Sequence, residues 1–361
     1  MSLKIKKIFN CKNLKVVLIV TTGRTGSDYL NCCLDNLHGV MTFCGKFNYH
    51  QFFKNNQNKI NKLTLINKFL KKYNYLFSFN KEEDIDTKID VKKFKTNFLK
   101  ITSDTEINRK EFLINLYVAY HLTLKRNFKN IKYLVHHSHG VTETNRVLQD
   151  FPNSKLLITI RHPLANLKSG LSHWFKYDKV SISTLHTFIY IYRIRQDLKY
   201  VLILKNKKLF IKLEEANLVK TKKNICKFLS IRFQKNIFKA TLAGKVWKGD
   251  RLSPVKSKKG EYISSTNNND WKNYFSTKEI VLLSFIYSDY QKFGYKLGNL
   301  KFLEKTKCFI RIFSLFSFEK FVFKNSDLLN FYNIKYLIMR MLYFILIFLK
   351  LDYIFKNKHL S

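Results

Sequence analysis

The stretch from Val16 to Leu37, VVLIVTTGRTGSDYLNCCLDNL, leaves this chain few ways to fold. Val16–Val20 is an unbroken β-branched and aliphatic run, the composition of a parallel strand buried on both faces. The loop Thr21–Ser27 carries Gly23 and Gly26, which give the backbone freedom to turn sharply. Leu30, Cys33, Leu34 and Leu37 then fall at i, i+3, i+4 and i+7, the apolar face of a helix. Strand, glycine loop and helix N-terminus in that order make an anion site, because backbone N–H groups and the positive end of the helix dipole converge there. The Walker pattern GxxxxGK[ST] is absent, and with it the lysine that reaches the β- and γ-phosphates. Arg24, Thr25 and Ser27 supply the polar groups instead. Such a loop suits a phosphate other than the end of a Mg²⁺-bound triphosphate.

A second stretch, SKLLITIRHPLANLKSGLSHWF at 154–175, repeats the strand-to-helix pattern. Leu156–Ile160 is strand-like, and Pro163 suits a first helical turn, where its missing N–H would be unpaired anyway. Leu164, Leu167, Leu171 and Trp174 mark that helix's buried face. Arg161 stands at the strand's end, and Ser169 follows eight positions later, two turns into the helix. A guanidinium fork matches phosphate oxygens, and a serine hydroxyl on the same side adds a bond. Taken alone, without the first loop, the two residues read as an ordinary strand-end arginine and a solvated helix serine.

Together the two stretches resemble the nucleotide site of the sulfotransferases that use 3′-phosphoadenosine 5′-phosphosulfate. In that family a GRSGST-like loop holds the 5′-phosphosulfate end, and this chain has GRTGSD at Gly23–Asp28. The resemblance gives the 3′-phosphate to Arg161 and Ser169. Residues 209–229, LFIKLEEANLVKTKKNICKFL, resemble the family's strand, acidic turn and helix. Lys258, Lys259 and Gly260, followed by Asp270, Trp271 and Lys272, resemble its basic-glycine and Asp-Trp-Lys elements, here separated by nine residues. Trp247, Gly249 and Asp250 resemble a stretch of bacterial members, or form a plain turn before Pro254. The resemblance runs from Lys15 to Gly298. It implies an α/β, three-layer P-loop-type fold with a central, mostly parallel sheet flanked by helices. It also implies transfer of a sulfuryl group from that donor to an acceptor hydroxyl on a saccharide or cell-surface glycan, without a metal. Asp28 departs from the family's threonine and is read as a helix-N-terminal acid, favoured by the dipole, rather than as a ligand.

Sulfuryl transfer needs the acceptor oxygen in line with the departing bridging oxygen, so positioning and charge stabilisation carry most of the catalysis. The resemblance places Arg24 against the transferring group and the leaving phosphate. A base must take the acceptor proton. Tyr133–His136 is strand-like and runs into His137, Ser138, His139 and Gly140, at the sheet edge where α/β enzymes collect ligands. His139 lies 22 residues before Arg161, about the spacing of the base histidine in soluble family members, and ranks first. His137 comes second and His50 third; near His50, Lys46 offers a cation for the sulfuryl group. The HHSH run lacks a carboxylate partner and does not make a zinc pattern.

Among 361 residues, 66 lysines and arginines against 25 acids give a formal net charge of +41. An AT-rich coding bias accounts for lysine in place of arginine but not for the shortage of acids, so the excess favours anionic surfaces. The cysteines Cys11, Cys32, Cys33, Cys44, Cys226 and Cys308 follow neither metal nor disulfide spacing, which suits a reducing compartment. The basic Met1–Asn13 precedes only a short apolar run, unlike a secretory signal. The expectation is a cytoplasmic protein of bacterial type, peripheral at the inner face of the membrane.

The expected division is a sulfotransferase domain over 1–300 and a basic, aromatic-rich helical extension over 301–361. Residues 47–130 form a helical insertion that shapes the acceptor side or decorates the surface. In the extension, the uncharged Met341–Leu349 falls short of the ~20 residues that span a bilayer, and Arg340 and Lys350 bracket it in positions to snorkel. It reads as an in-plane amphipathic helix on an anionic membrane, a helical cap, or an oligomer contact. The oligomeric state is not legible. A P-loop nucleotide or metabolite kinase is disfavoured by the missing lysine and by the lack of a strand-borne aspartate for Mg²⁺. A non-enzymatic polyanion- or membrane-surface-binding protein fits the charge and the 16% aromatic content. That reading gives no reason for Arg161 and Ser169, and no specific nucleic acid is expected.

Overall fold

The aliphatic run at Val16 forms strand β1 (Lys15–Thr21), buried from its second residue onward. It is central because it can pair on both edges: β3 (Tyr133–Ser138) lies on one side and β4 (Lys155–Ile160) on the other. The short β2 (Val40–Met41) extends the sheet beyond β3, and β5 (Lys208–Lys212) extends it beyond β4. All pairs are parallel, in the order β2-β3-β1-β4-β5. From β1 the chain moves to the β2 side, returns to β3, then crosses to β4. The carboxyl end of β1 is therefore a topological switch point, where open α/β sheets leave a crevice for ligands.

This computed structural model describes residues 14–53, 59–81, 84–128, 130–138, 140–177, 184–251, 256–257, 259–261, 270–297, 308, 313–324 and 331–352. Its longer helices are α1 (Ser27–Leu34), α2 (Lys62–Tyr73), α3 (Val91–Ile101), α4 (Arg109–Thr123), α5 (Val141–Asp150), α6 (Pro163–Tyr177), α7 (Thr184–Ile203), α8 (Val219–Phe228), α9 (Thr277–Ile286), α10 (Ser317–Lys324) and α11 (Phe331–Phe348). By contact the chain divides into two compact units, 1–160 with 204–266, and 161–203 with 267–361.

In the first unit the alternation of side chains along the strands sorts the sheet into two faces. Val17, Ile19, Val135, Leu157 and Ile211 share one core with Leu30, Cys33 and Leu34 of α1 and Ile225 and Cys226 of α8. On the other face, the His136 Nδ1 lies 3.0 Å from the Tyr117 hydroxyl of α4, and the Ser138 hydroxyl lies 2.9 Å from that of Thr144 on α5. Helices thus cover both faces, giving the expected three layers. β3 runs two residues past the His136 at which the sequence reading ended it, because β1 goes on pairing as far as Val20 opposite Ser138. α1 ends at Leu34, and Leu37 completes its apolar face from beyond the helix.

Residues 47–130 are mainly helical, with short paired strands at Ile60–Asn61 and Glu106–Ile107 and at Phe79–Asn80 and Ile85–Asp86. Apart from exposed Phe79 and half-buried Tyr75 and Phe128, their phenylalanines and tyrosines are buried. The Phe43 ring meets Phe47, Phe69, Phe77, Tyr117 and Tyr120 at centroid separations of 5.0–6.1 Å. Such pairs contribute about 0.5–1.5 kcal/mol each beyond area burial. These rings build a core and are not a platform for stacked bases.

In the second unit, Gly170 of α6 lets Tyr190 of α7 come close, since a Cβ there would stand 2.1 Å from the ring. Asp352 accepts from Arg195 at 2.8 Å and Lys199 at 2.6 Å, fixing the end of α11 to α7. Arg340 does not snorkel. It is buried, its Nε donates to Glu319 at 2.7 Å, and its guanidinium lies over the Phe316 and Phe344 rings. Glu319 is equally buried, and a carboxylate removed from water requires such a countercharge. Among the described residues no helix is long and apolar enough to cross a membrane.

Candidate active site

The loop after β1 is shaped by three departures from ordinary backbone. Gly23, Arg24 and Gly26 have φ of 82°, 48° and 78°. The Gly23 N–H donates to the Thr21 hydroxyl at 2.9 Å, closing the turn. The Thr25 hydroxyl lies 2.8 Å from that of Thr21 and 2.6 Å from that of Thr159 on β4. Thr25 therefore ties the loop to two strands. Gly26 occupies the N-cap position of α1 without a side-chain cap, so the helix begins with its positive end unblocked by a cap residue. A Cβ on Gly26 would stand 2.3 Å from Leu213 Cδ1. Gly26→Ala is expected to destabilise the protein by about 1–3 kcal/mol, through strain at positive φ and this clash, and to weaken anion binding at the loop. Thermal unfolding and a sulfate titration of the variant check both.

Charged groups border this loop. Arg24 pairs with Asp250 at 3.6 Å, so VWKGD is more than a turn before Pro254. Trp247 of the same stretch is buried against Tyr29 of α1, with centroids 5.6 Å apart. Asp28 accepts from Lys46 at 2.7 Å, and the His137 Nδ1 lies 3.4 Å from the same oxygen. His137 shares the α1 face with Val135, whereas His136 points to the opposite core. There burial pushes the His136 pKa down to about 4 and keeps the ring neutral. The expected helix-N-terminal acid thus sits between Lys46 and His137, and its charge is met by the Lys46 ammonium.

His139, Lys258 and the side chain of His50 lie outside the described residues. Lys259 is exposed, and Gly260 is buried at φ 76°, where a Cβ would stand 2.6 Å from the Ala240 carbonyl. The sequence reading missed Glu143, in the first turn of α5, whose pKa burial pushes up to about 7. An acid three positions past the glycine at the strand's end is the one signal that could have marked it.

In the second unit, Arg161 is half-buried at the start of the segment leading into α6, and Ser169 is half-buried within that helix. Between them, Asn166 is buried and accepts from the Tyr190 hydroxyl at 2.7 Å. His162 stacks on Trp271, with centroids 4.7 Å apart and planes 15° apart, and meets Tyr295 edge-on. Burial pushes the His162 pKa down to about 4, so it is neutral at pH 7, with the charges of Arg161 and Lys272 acting in the same direction. Lys168 pairs with Asp270 at 3.6 Å. Asp270, Trp271 and Lys272 thus open a short helical turn, Trp271–Tyr274, that supports the segment carrying Arg161.

A parallel sheet covered by helices on both faces, whose first strand runs through a glycine loop into a helix N-terminus, defines a three-layer α/β fold. Among solved structures the chain is similar to sulfotransferases. The sulfotransferase domain of the curacin biosynthetic pathway is 14% identical, with 63% of this chain and 78% of that one covered and a TM-score of 0.42. The sulfotransferase domain of the Synechococcus PCC 7002 olefin synthase is 14% identical, with 80% and 97% covered and a TM-score of 0.48. Sulfotransferase STF9 from Mycobacterium avium is 9% identical, with 65% and 68% covered and a TM-score of 0.36. No family model matches the chain, and no curated protein matches it in sequence.

Proposed function

We propose that the protein transfers a sulfuryl group from 3′-phosphoadenosine 5′-phosphosulfate to a hydroxyl of a saccharide or cell-surface glycan. The observation that carries this reading is the loop itself. It presents an arginine and an uncapped helix N-terminus, has no lysine, and commits the Thr25 hydroxyl to Thr21 and Thr159. A Walker site needs that lysine and, directly after it, a hydroxyl for Mg²⁺; after Gly26 this loop has Ser27 and Asp28 instead.

The donor fits the residues present. The Thr22 hydroxyl is buried without a hydrogen-bond partner among the described residues, a polar atom that a phosphosulfate oxygen would satisfy. Gly23–Ser27 hold the 5′-phosphosulfate end, and Arg24 offsets charge on the sulfuryl group and the leaving phosphate. Arg161 and Ser169 take the 3′-phosphate. When bound, the donor supplies an activated sulfuryl group whose leaving group is a phosphate. The acceptor's proton goes to a histidine at the carboxyl edge of β3, His139 or His137. The Asp28 carboxylate, 3.4 Å from the His137 Nδ1, would favour a proton on that nitrogen and leave Nε2 basic. Lys46, held by the same carboxylate, adds positive charge on the acceptor side.

Calorimetric titration with adenosine 3′,5′-bisphosphate tests the donor site, with AMP and ATP–Mg²⁺ as competitors. Binding that requires the 3′-phosphate is the expected result. Equal binding of ATP–Mg²⁺, or no binding of the bisphosphate, would sink the reading and bring the kinase or polyanion-binding alternatives forward.

A further inference from the structure

Six of the twelve exposed large apolar side chains among the described residues fall between 313 and 349. Ile334, Ile338, Leu342 and Leu349 are 45%, 54%, 52% and 54% exposed. At ~100° per residue these four positions fall within an arc of about 80°. The opposite side of the helix is the one already packed, through Tyr336, Arg340, Tyr343, Phe344 and Ile347. Phe313 and Phe321, at or near α10, are 55% and 58% exposed.

Among the described residues of 313–352, the exposed charge has one sign. Lys320, Lys335 and Lys350 are exposed, while the acids described in 313–352, Glu319 and Asp352, are buried and paired with Arg340, Arg195 and Lys199. An apolar stripe beside lysines, with its acids drawn inward, complements the headgroups and acyl boundary of an anionic bilayer. A second copy of the chain is the poorer occupant, because each copy carries a formal net charge of +41. We propose that α11, with α10, docks in the plane of an anionic lipid surface, the stripe Ile334, Ile338, Leu342 and Leu349 entering the acyl boundary and Lys320, Lys335 and Lys350 contacting phosphate headgroups. This proposal does not depend on the donor chemistry, so its failure and that of the sulfuryl-transfer reading are separately visible.

The test is co-sedimentation of the full chain with phosphatidylcholine vesicles, with and without 30% phosphatidylglycerol (a composition chosen for charge, on the order of natural anionic content). Diffuse basic charge alone would bind such vesicles, so the decisive comparison leaves charge unchanged. Ile338→Ser with Leu342→Ser is set against Leu218→Ser with Val219→Ser, a pair equally exposed at 53% each but elsewhere in the chain. At ~0.3 M salt, where surface charge is well screened, the first pair should weaken binding about tenfold or more and the second should not. Lys320→Glu with Lys335→Glu should weaken it too. Equal binding of both serine pairs, or no preference for phosphatidylglycerol, would overturn the proposal. So would light scattering that shows a dimer dissociated by Ile338→Ser with Leu342→Ser, since the stripe would then belong to a second copy.

Discussion

Asp35→Ala is expected to lower the stability of the protein by about 3 kcal/mol, more than any other single change at a surface-distant site considered above. Asp35 is buried and takes a two-pronged bond from Arg126, with both guanidinium distances at 2.9 Å. It also accepts from the Thr42 hydroxyl at 2.7 Å, the Thr241 hydroxyl at 3.0 Å and the Gly244 N–H at 3.2 Å. One carboxylate thus joins the end of α1, the residue after β2, the chain beyond α4 and the 241–246 hairpin. Removing it strands a guanidinium that is only 18% accessible, and an uncompensated buried charge is the costly outcome. The midpoint of urea unfolding should fall at an unchanged slope. Asp35→Leu combined with Arg126→Met should cost less than Asp35→Ala alone, because no charge is then left unpaired. A loss under ~1 kcal/mol for Asp35→Ala would show that water reaches Arg126. Burial by itself would raise the Asp35 pKa, but the charge and hydrogen bonds of Arg126, with those of Thr42 and Gly244, outweigh it and hold the pKa below 3.8. The folded pKa lies below the unfolded one, so this stabilisation is whole above pH 3.8 and is lost as pH falls through the folded value.

Arg161→Ala should weaken adenosine 3′,5′-bisphosphate binding by about 10- to 150-fold and leave AMP binding nearly unchanged. The range is what one charge-assisted contact of about 1.5–3 kcal/mol is worth when the group it served stays behind. Lysine should rescue only part of the loss, because it supplies the charge without the planar fork. An equal loss for AMP and the bisphosphate would mean that Arg161 acts on the fold around His162 and Trp271 rather than on the 3′-phosphate.

The parts of the fold that were legible in the sequence are those encoded locally. β1, its loop and α1 are contiguous, and the aliphatic run, the glycines and the leucine spacing each specify one piece. The same holds for β4, Pro163 and α6. What stayed hidden is pairing across distance. Nothing near Asp28 announces His137, and nothing near Arg24 announces Asp250, because those partners meet only after the sheet assembles. His136 and His137 show the problem on the smallest scale. They are adjacent and chemically identical, yet the pleat sends one into an aromatic core and the other toward α1. Only the register of β3 on β1 separates them. The aromatic content was equally ambiguous, since a phenylalanine that stacks on a base and one that fills a core read alike until burial is known. Arg340 was misread for the same reason: its countercharge, Glu319, lies on a different helix.

Under the proposed function, Arg24 and Asp250 also bear on how the loop would exchange its anion. With a carboxylate beside its guanidinium, an incoming anion arrives by exchange, not by simple addition, and its measured affinity is the difference between two ion pairs. The same carboxylate is in place to reclaim the arginine as the anion leaves. Under the proposed function, that competition would trade some affinity for reversibility.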